Sequence, residues 1–133
     1  MIIDNALLDK LEAQAKESPR LRQNFDLRTS NKDTSQRMLN VLLPGTQVPI
    51  HRHRETTETV VILRGAIEEL LFDDNGVECA RYMLSQESGN FALQIPKGQW
   101  HMVVVKEPCA ILEAKDGAFK QFTPDDVLNS SSF

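Results

Sequence analysis

PIHRHRETTETVVILRG, residues 49–65, sets two histidines one residue apart, then a glutamate, then an apolar run that stops at a glycine. Counted from Gly45, the spacing is five residues to His51, one to His53, four to Glu58 and six to Gly65. Alternate residues of a strand face the same way, so His51 and His53 project together. Glu58 follows a short polar turn and opens the returning strand. A second stretch, GNFALQIPKGQWH (89–101), closes on Pro96-x-Gly98-x-x-His101 and leads into the apolar MVVV. The chain has three histidines, and all of them fall in these two stretches. A lone His-x-His pair is mostly a surface feature. Three imidazoles and one carboxylate in two matched spacings can converge on a single ion.

Outward from this stretch the pattern is strand and turn. RMLNVLL, QVPIHRH, ETVVIL, AIEELLF, VECARYML, FALQI, MVVVK and AILEAK read as strands. Asp74-Asn75-Gly76 is a tight hairpin signal between LLF and VECARYML. About eight short strands at close spacing, broken by glycine and proline, predict a mainly β double-sheet jelly roll or small barrel. Upstream, residues 4–17 predict one amphipathic helix, capped by Asp4 or Asn5, with Leu7, Leu8, Leu11 and Ala15 as its apolar stripe. Ser18-Pro19 ends it. RLRQNFDLRTSNKDTSQ reads as loop with one strand. The expected organisation is a single domain over 1–133: helix and loop at 1–35, barrel at about 36–120, and a tail at 121–133 whose SSSF end frays.

The 133 residues fit one domain, and a chain of that length can bury a core without staples. Net charge is −4 with no long basic run, which argues against nucleic acid and anionic membrane as partners. No apolar stretch approaches the length of a membrane span. MIIDNALLDKLEAQ carries acids early and no basic region, unlike a secretory signal, so a cytoplasmic location is expected. Cys79 and Cys109 are expected to be buried thiols without a disulfide.

Imidazole suits zinc, copper, iron or nickel, and one carboxylate does not choose among them. The expected cofactor is therefore one divalent transition metal, such as zinc, iron, nickel or manganese. Structural zinc sites usually carry cysteine, and neither cysteine lies in the two stretches, so an open site is expected. Four protein ligands on an octahedral ion leave two positions for a ligand's oxygens. Strand alternation puts Gln47 and Pro49 on the side of His51, Val60 and Ile62 on that of Glu58, and Val103 and Val105 on that of His101. Those apolar residues are also what any barrel core needs. Arg37, Gln47, Gln99 and Glu113 are candidate ligand-steadying groups, with Glu69 beside them. Arg52, Arg54 and Trp100 have the opposite parity.

The two spacings resemble the signature motifs of the cupin superfamily. The first matches in full. The second is one residue longer between Gly89 and Pro96 and has Val105 where many cupins have asparagine. SPRLRQNFDL, SQRMLNVLLPGTQVPIHRH, IPKGQWH and EAKDGAF are, more narrowly, similar to the WbuC family of cupin fold metalloproteins. That similarity spans roughly residues 4–120. It departs at NFDL, where the family often has a histidine, and at Gly117-Ala118-Phe119, where it often has Gly-Pro-Tyr. The resemblance implies His51, His53, Glu58 and His101 as metal ligands, and a homodimer. It also implies a carbohydrate or organic-acid ligand in surface-polysaccharide synthesis. Two functions stay open: a metal-dependent isomerase, epimerase or Fe(II) dioxygenase, and a binding or accessory module without turnover.

Overall fold

The computed structural model describes residues 1–128, and the expectation for the SSSF end falls outside them. One helix precedes ten strands. Helix α1 spans Asn5–Glu17, and the Asp4 side chain caps it by accepting from the Leu7 amide at 3.0 Å. The strands are β1 (Arg22–Asp26), β2 (Ser35–Leu42), β3 (Ile50–His51), β4 (Glu58–Arg64) and β5 (Ala66–Phe72). They continue as β6 (Glu78–Ser85), β7 (Ala92–Ile95), β8 (Trp100–Val104), β9 (Cys109–Asp116) and β10 (Val127–Leu128).

The strands form two five-stranded sheets, ordered β1-β2-β9-β4-β7 and β10-β3-β8-β5-β6, with antiparallel pairing throughout. This is the jelly roll that the strand pattern predicts. Between the sheets Leu42, Val60, Ile62, Ile67, Leu84, Ile95, Cys109 and Ile111 make the dry core, with Val103 and Val105 packed against it. On the other face of the first sheet, Leu8, Leu11 and Ala15 of α1 cover Leu39, Val41, Leu43 and Ala110. Residues of β2 therefore divide by parity: Leu39 and Val41 meet the helix, and Leu42 enters the sandwich.

Gly65 makes the β4–β5 turn at φ 73°, and a Cβ there would collide with the Pro108 carbonyl. The Asp74-Asn75-Gly76 signal forms the β5–β6 hairpin. Gly76 takes φ 79°, and the Asp73 carboxylate accepts from the Asn75 and Val77 amides.

Three features differ from the reading of the sequence. The QVPIHRH run shrinks to the two residues of β3, because Pro49 has no N–H for a ladder and Gly45 bends the approach at φ 95°. The paired strands reach from Arg22 to Leu128, beyond the expected barrel limits, and β10 lies inside what was set apart as tail. Two-residue strands carry no periodicity to read. Cys109 is buried, but Cys79 is exposed on the edge strand β6.

Candidate metal centre

The four motif residues come from both sheets and meet at one end of the sandwich. His51 of β3 sits directly across from His101 of β8, their ring centroids 4.2 Å apart. His53 lies just past β3, where its carbonyl accepts from the Gly98 amide at 2.7 Å. That bond ties the Pro96–Gly98 turn of the second stretch to the first. Glu58 opens β4 in the facing sheet. Its Oε2 lies 3.1 Å from His53 Nε2 and 3.3 Å from His101 Nε2. One ring nitrogen from each of the three histidines falls within 4.8 Å of the others, so these three could hold a metal ion.

Hydrogen bonds fix which nitrogens are available. His51 Nδ1 lies 2.7 Å from the Pro49 carbonyl, and His101 Nδ1 lies 2.9 Å from the Gln99 carbonyl. A carbonyl only accepts, so each Nδ1 carries the proton and each neutral ring keeps a lone pair on Nε2. Backbone carbonyls orient metal-binding imidazoles in this way.

His101 Nε2 and Glu58 Oε2 are both buried, and neither has a hydrogen-bond partner among the described residues. Their 3.3 Å separation is close enough for a bond but lacks the geometry of one. Two lone pairs thus face the same small space, a costly arrangement unless a cation lies between them. The donor set of three imidazoles and one carboxylate fits a divalent transition ion.

Electrostatics prepares the same atoms. Burial is the main force pushing His51 down to about 3, helped by the nearby His101 and opposed by the Pro49 carbonyl. His51 is therefore neutral, with its lone pair free. Burial alone would raise Glu58; hydrogen bonds and positive charge from His101 and His53 in their protonated form, with Lys115, would hold the carboxyl well below its usual range, and with neutral rings a metal cation takes the place of those protons. The neighbouring acids go the other way. Burial, then the charges of Glu58 and Glu113, push Glu69 well above the usual carboxylate range, and its Oε2 also lacks a partner. Burial and Glu58 raise Glu113 to about 7, although Lys115 lies 3.8 Å away.

A cavity of about 780 Å³ opens onto the cluster. Glu69 and Glu113 line it, as the sequence reading allows, together with Asn40. Arg37, Gln47 and Gln99 do not. Arg37 sits on the opposite face of β2 from Met38 and Asn40, and its guanidinium is held by Asp33 and the Leu27 carbonyl. Gln47 lies in the loop before β3, where strand alternation does not apply; its carbonyl accepts from Arg22 at 3.1 Å. The Gln99 side chain donates to the Phe72 and Trp100 carbonyls, and only its backbone reaches His101. Trp100 is buried under the Arg52 guanidinium, 4.3 Å from the ring centroid.

The C-terminal segment supplies a wall that the sequence reading missed. Phe122 stands 5.2 Å from the His51 ring and 5.3 Å from that of His53. Asp126 anchors the segment, accepting from Arg54 Nε at 2.7 Å, while its carbonyl takes the Arg52 amide. Thr123-Pro124-x-Asp126 was the available signal, since this order marks a capped turn. Arg20 and Arg22 also line the cavity and were not singled out.

A family profile described as a domain of unknown function, DUF6016, matches residues 3–84, more than half of the chain. The chain belongs to this family. The part of it matched to DUF6016 holds His51, His53 and Glu58 and stops before His101. A search of curated proteins found no match. Among solved structures, the chain is similar to CapF, a capsular polysaccharide assembling protein from Staphylococcus aureus. There the identity is 18%, the TM-score 0.59, and the match covers 77% of this chain and 28% of that one. It is similar to an oxalate oxidase in complex with the substrate analogue glycolate (16%, TM-score 0.60), over 75% of this chain. That match spans 53%, about half, of the oxidase's length. It is also similar to the Cnp3 cupin domain of Schizosaccharomyces pombe (12%, TM-score 0.57, 72% of this chain and 64% of that one). At these identities the likeness shows the fold of this DUF6016 member, a cupin-type jelly roll. No helix among its described residues is long and apolar enough to cross a membrane.

Proposed function

We propose that this chain is a metal-dependent cupin domain that binds a small oxygen-rich ligand, a carbohydrate or hydroxy acid. His51, His53, Glu58 and His101 would hold one divalent transition ion. The observation that carries this reading is the orphaned pair, His101 Nε2 and Glu58 Oε2, buried 3.3 Å apart. With neutral imidazoles and one carboxylate, a divalent ion keeps a net charge of about +1 and polarises oxygens placed on it. The protein's own residues supply the rest. Phe122 gives an apolar wall at the mouth, and Glu69 and Glu113 give two further carboxyls facing the cavity. Those carboxyls favour turnover, by isomerisation or epimerisation, over passive binding.

The narrower WbuC resemblance points to surface-polysaccharide synthesis. CapF, described as a capsular polysaccharide assembling protein, shares the fold and lends that role support. The glycolate complex of the oxidase supports a hydroxy-acid ligand. Glycolate and glucuronate are expected to raise the melting temperature of the metal-loaded chain by several degrees at about a hundredfold excess over Kd. The metal-stripped chain is expected not to respond. Equal responses in the two forms would reduce the metal to a structural pin and remove the ligand reading.

A further inference from the structure

The cavity's basic side has a construction of its own. Arg20 and Arg22 both line it, and both also border a smaller cleft formed with Pro19, Gly45 and Gln47. Among the described residues, neither guanidinium lies within ion-pair distance of a carboxylate. By contrast, Arg52 and Arg54, on the same cavity, are paired with Asp126. Arg22 spends one N–H on the Gln47 carbonyl. An arginine has five N–H donors, so most of its fork is uncommitted.

The backbone holds the two side chains in this arrangement against a conformational cost. Leu21, between them, adopts φ 56°, the one positive φ outside glycine among the described residues. Four hydrogen bonds pin it. The Arg20 amide donates to Ser18 Oγ, the Leu21 amide to the Ser18 carbonyl, the Leu43 amide to the Leu21 carbonyl, and Thr46 Oγ1 to the Arg20 carbonyl. The kink sends the Leu21 side chain into the helix-side core and leaves its two neighbours at the cavity. Burial first, and then the charge of Arg20, lower Arg22 from its usual value. Two like charges, one partly buried and one at the exposed rim, are thus held together, which favours an anion between them.

We propose that Arg20 and Arg22 form an anion-binding arm of the cavity, which grips a carboxylate or phosphate group of the ligand whose other oxygens reach the histidine cluster. The ligand class is then an acidic sugar, either a uronic acid or a sugar phosphate. This proposal rests on the small-ligand reading of the cavity, but its anion site can be tested without the metal.

Inorganic phosphate titrated into the intact chain by calorimetry is the direct probe. R20M/R22M is expected to weaken phosphate binding by about tenfold or more, R22K to fall between, and H51A/H53A to stay within about twofold of wild type. R20M alone, an exposed position, covers the case in which the double variant fails to fold. Glucuronate and glucose 6-phosphate, each compared with neutral glucose, then separate the two sources of the anion. The arginine substitutions are expected to weaken the acids and leave glucose unchanged. Wild-type affinity for phosphate in R20M and R20M/R22M, or no phosphate binding to the wild type, overturns the proposal. Phosphate binding that survives in H51A/H53A, beside a wild type that itself takes up no metal, would sink only the metal reading.

Discussion

Strand β4 passes through two different interiors within five residues. Val60 and Ile62 face the sandwich core and belong to its apolar cluster, with Ile111 directly across from Ile62. Glu58 faces the same way at the strand's start, yet it meets His53 and His101 and shares its surroundings with Glu69 and Glu113. The same parity and the same pair of sheets give a closed end and an open one. The closed end is complete without a ligand. The open end leaves Glu58 Oε2, Glu69 Oε2 and His101 Nε2 buried without partners. On this account stability rests on the first end and the proposed binding on the second, so each should respond to its own substitutions.

The largest effect belongs to the closed end. Ile62→Ala opens a void among Leu42, Ile67 and Ile111 and is expected to cost about 3 kcal/mol, read as a fall in Tm of roughly 10 °C. Its metal content should match the wild type. A folded Ile62→Ala chain that loses metal would show that the two ends are one cooperative unit.

A smaller effect belongs to the open end and depends on pH. Glu113 titrates near 7 in the folded chain, against an ordinary 4.5. Between those values the native state keeps a proton that the unfolded chain has released, so stability falls as pH rises through the window. Glu113→Gln removes that loss. The metal-free variant should gain on metal-free wild type by about 2 kcal/mol from pH 4.5 to pH 7, measured by urea unfolding. A gap that stays flat or narrows would mean that Glu113 is ionised throughout.

Much of the fold and the histidine cluster was legible because both are written in local spacing. Alternation put His51 beside His53, and Pro-x-Gly-x-x-His carried His101 to the facing position on β8. The polar groups around the cluster were less legible, because they depend on which strand lies opposite which. Arg37 failed by parity, facing the other side of its own strand. Gln47 failed because the strand assumed around it begins only at Ile50. Arg20 and Arg22 gave no periodic signal at all, since the kink at Leu21 that brings them to the cavity is set by distant partners, Leu43 and Thr46. Phe122 lay in a tail with no strand pattern, and the Asp126 contacts with Arg52 and Arg54 that hold it are long-range.

The central claim is that the open end is built for a metal. It is tested most directly by elemental analysis of untagged chain, wild type beside His51→Ala/His53→Ala. The account predicts about one divalent transition metal per chain in the wild type and less than about a tenth of that in the double variant, with the fold intact by circular dichroism. Full metal retention in the double variant, or a wild type that takes up none when supplied with zinc, iron, nickel or manganese, would contradict it.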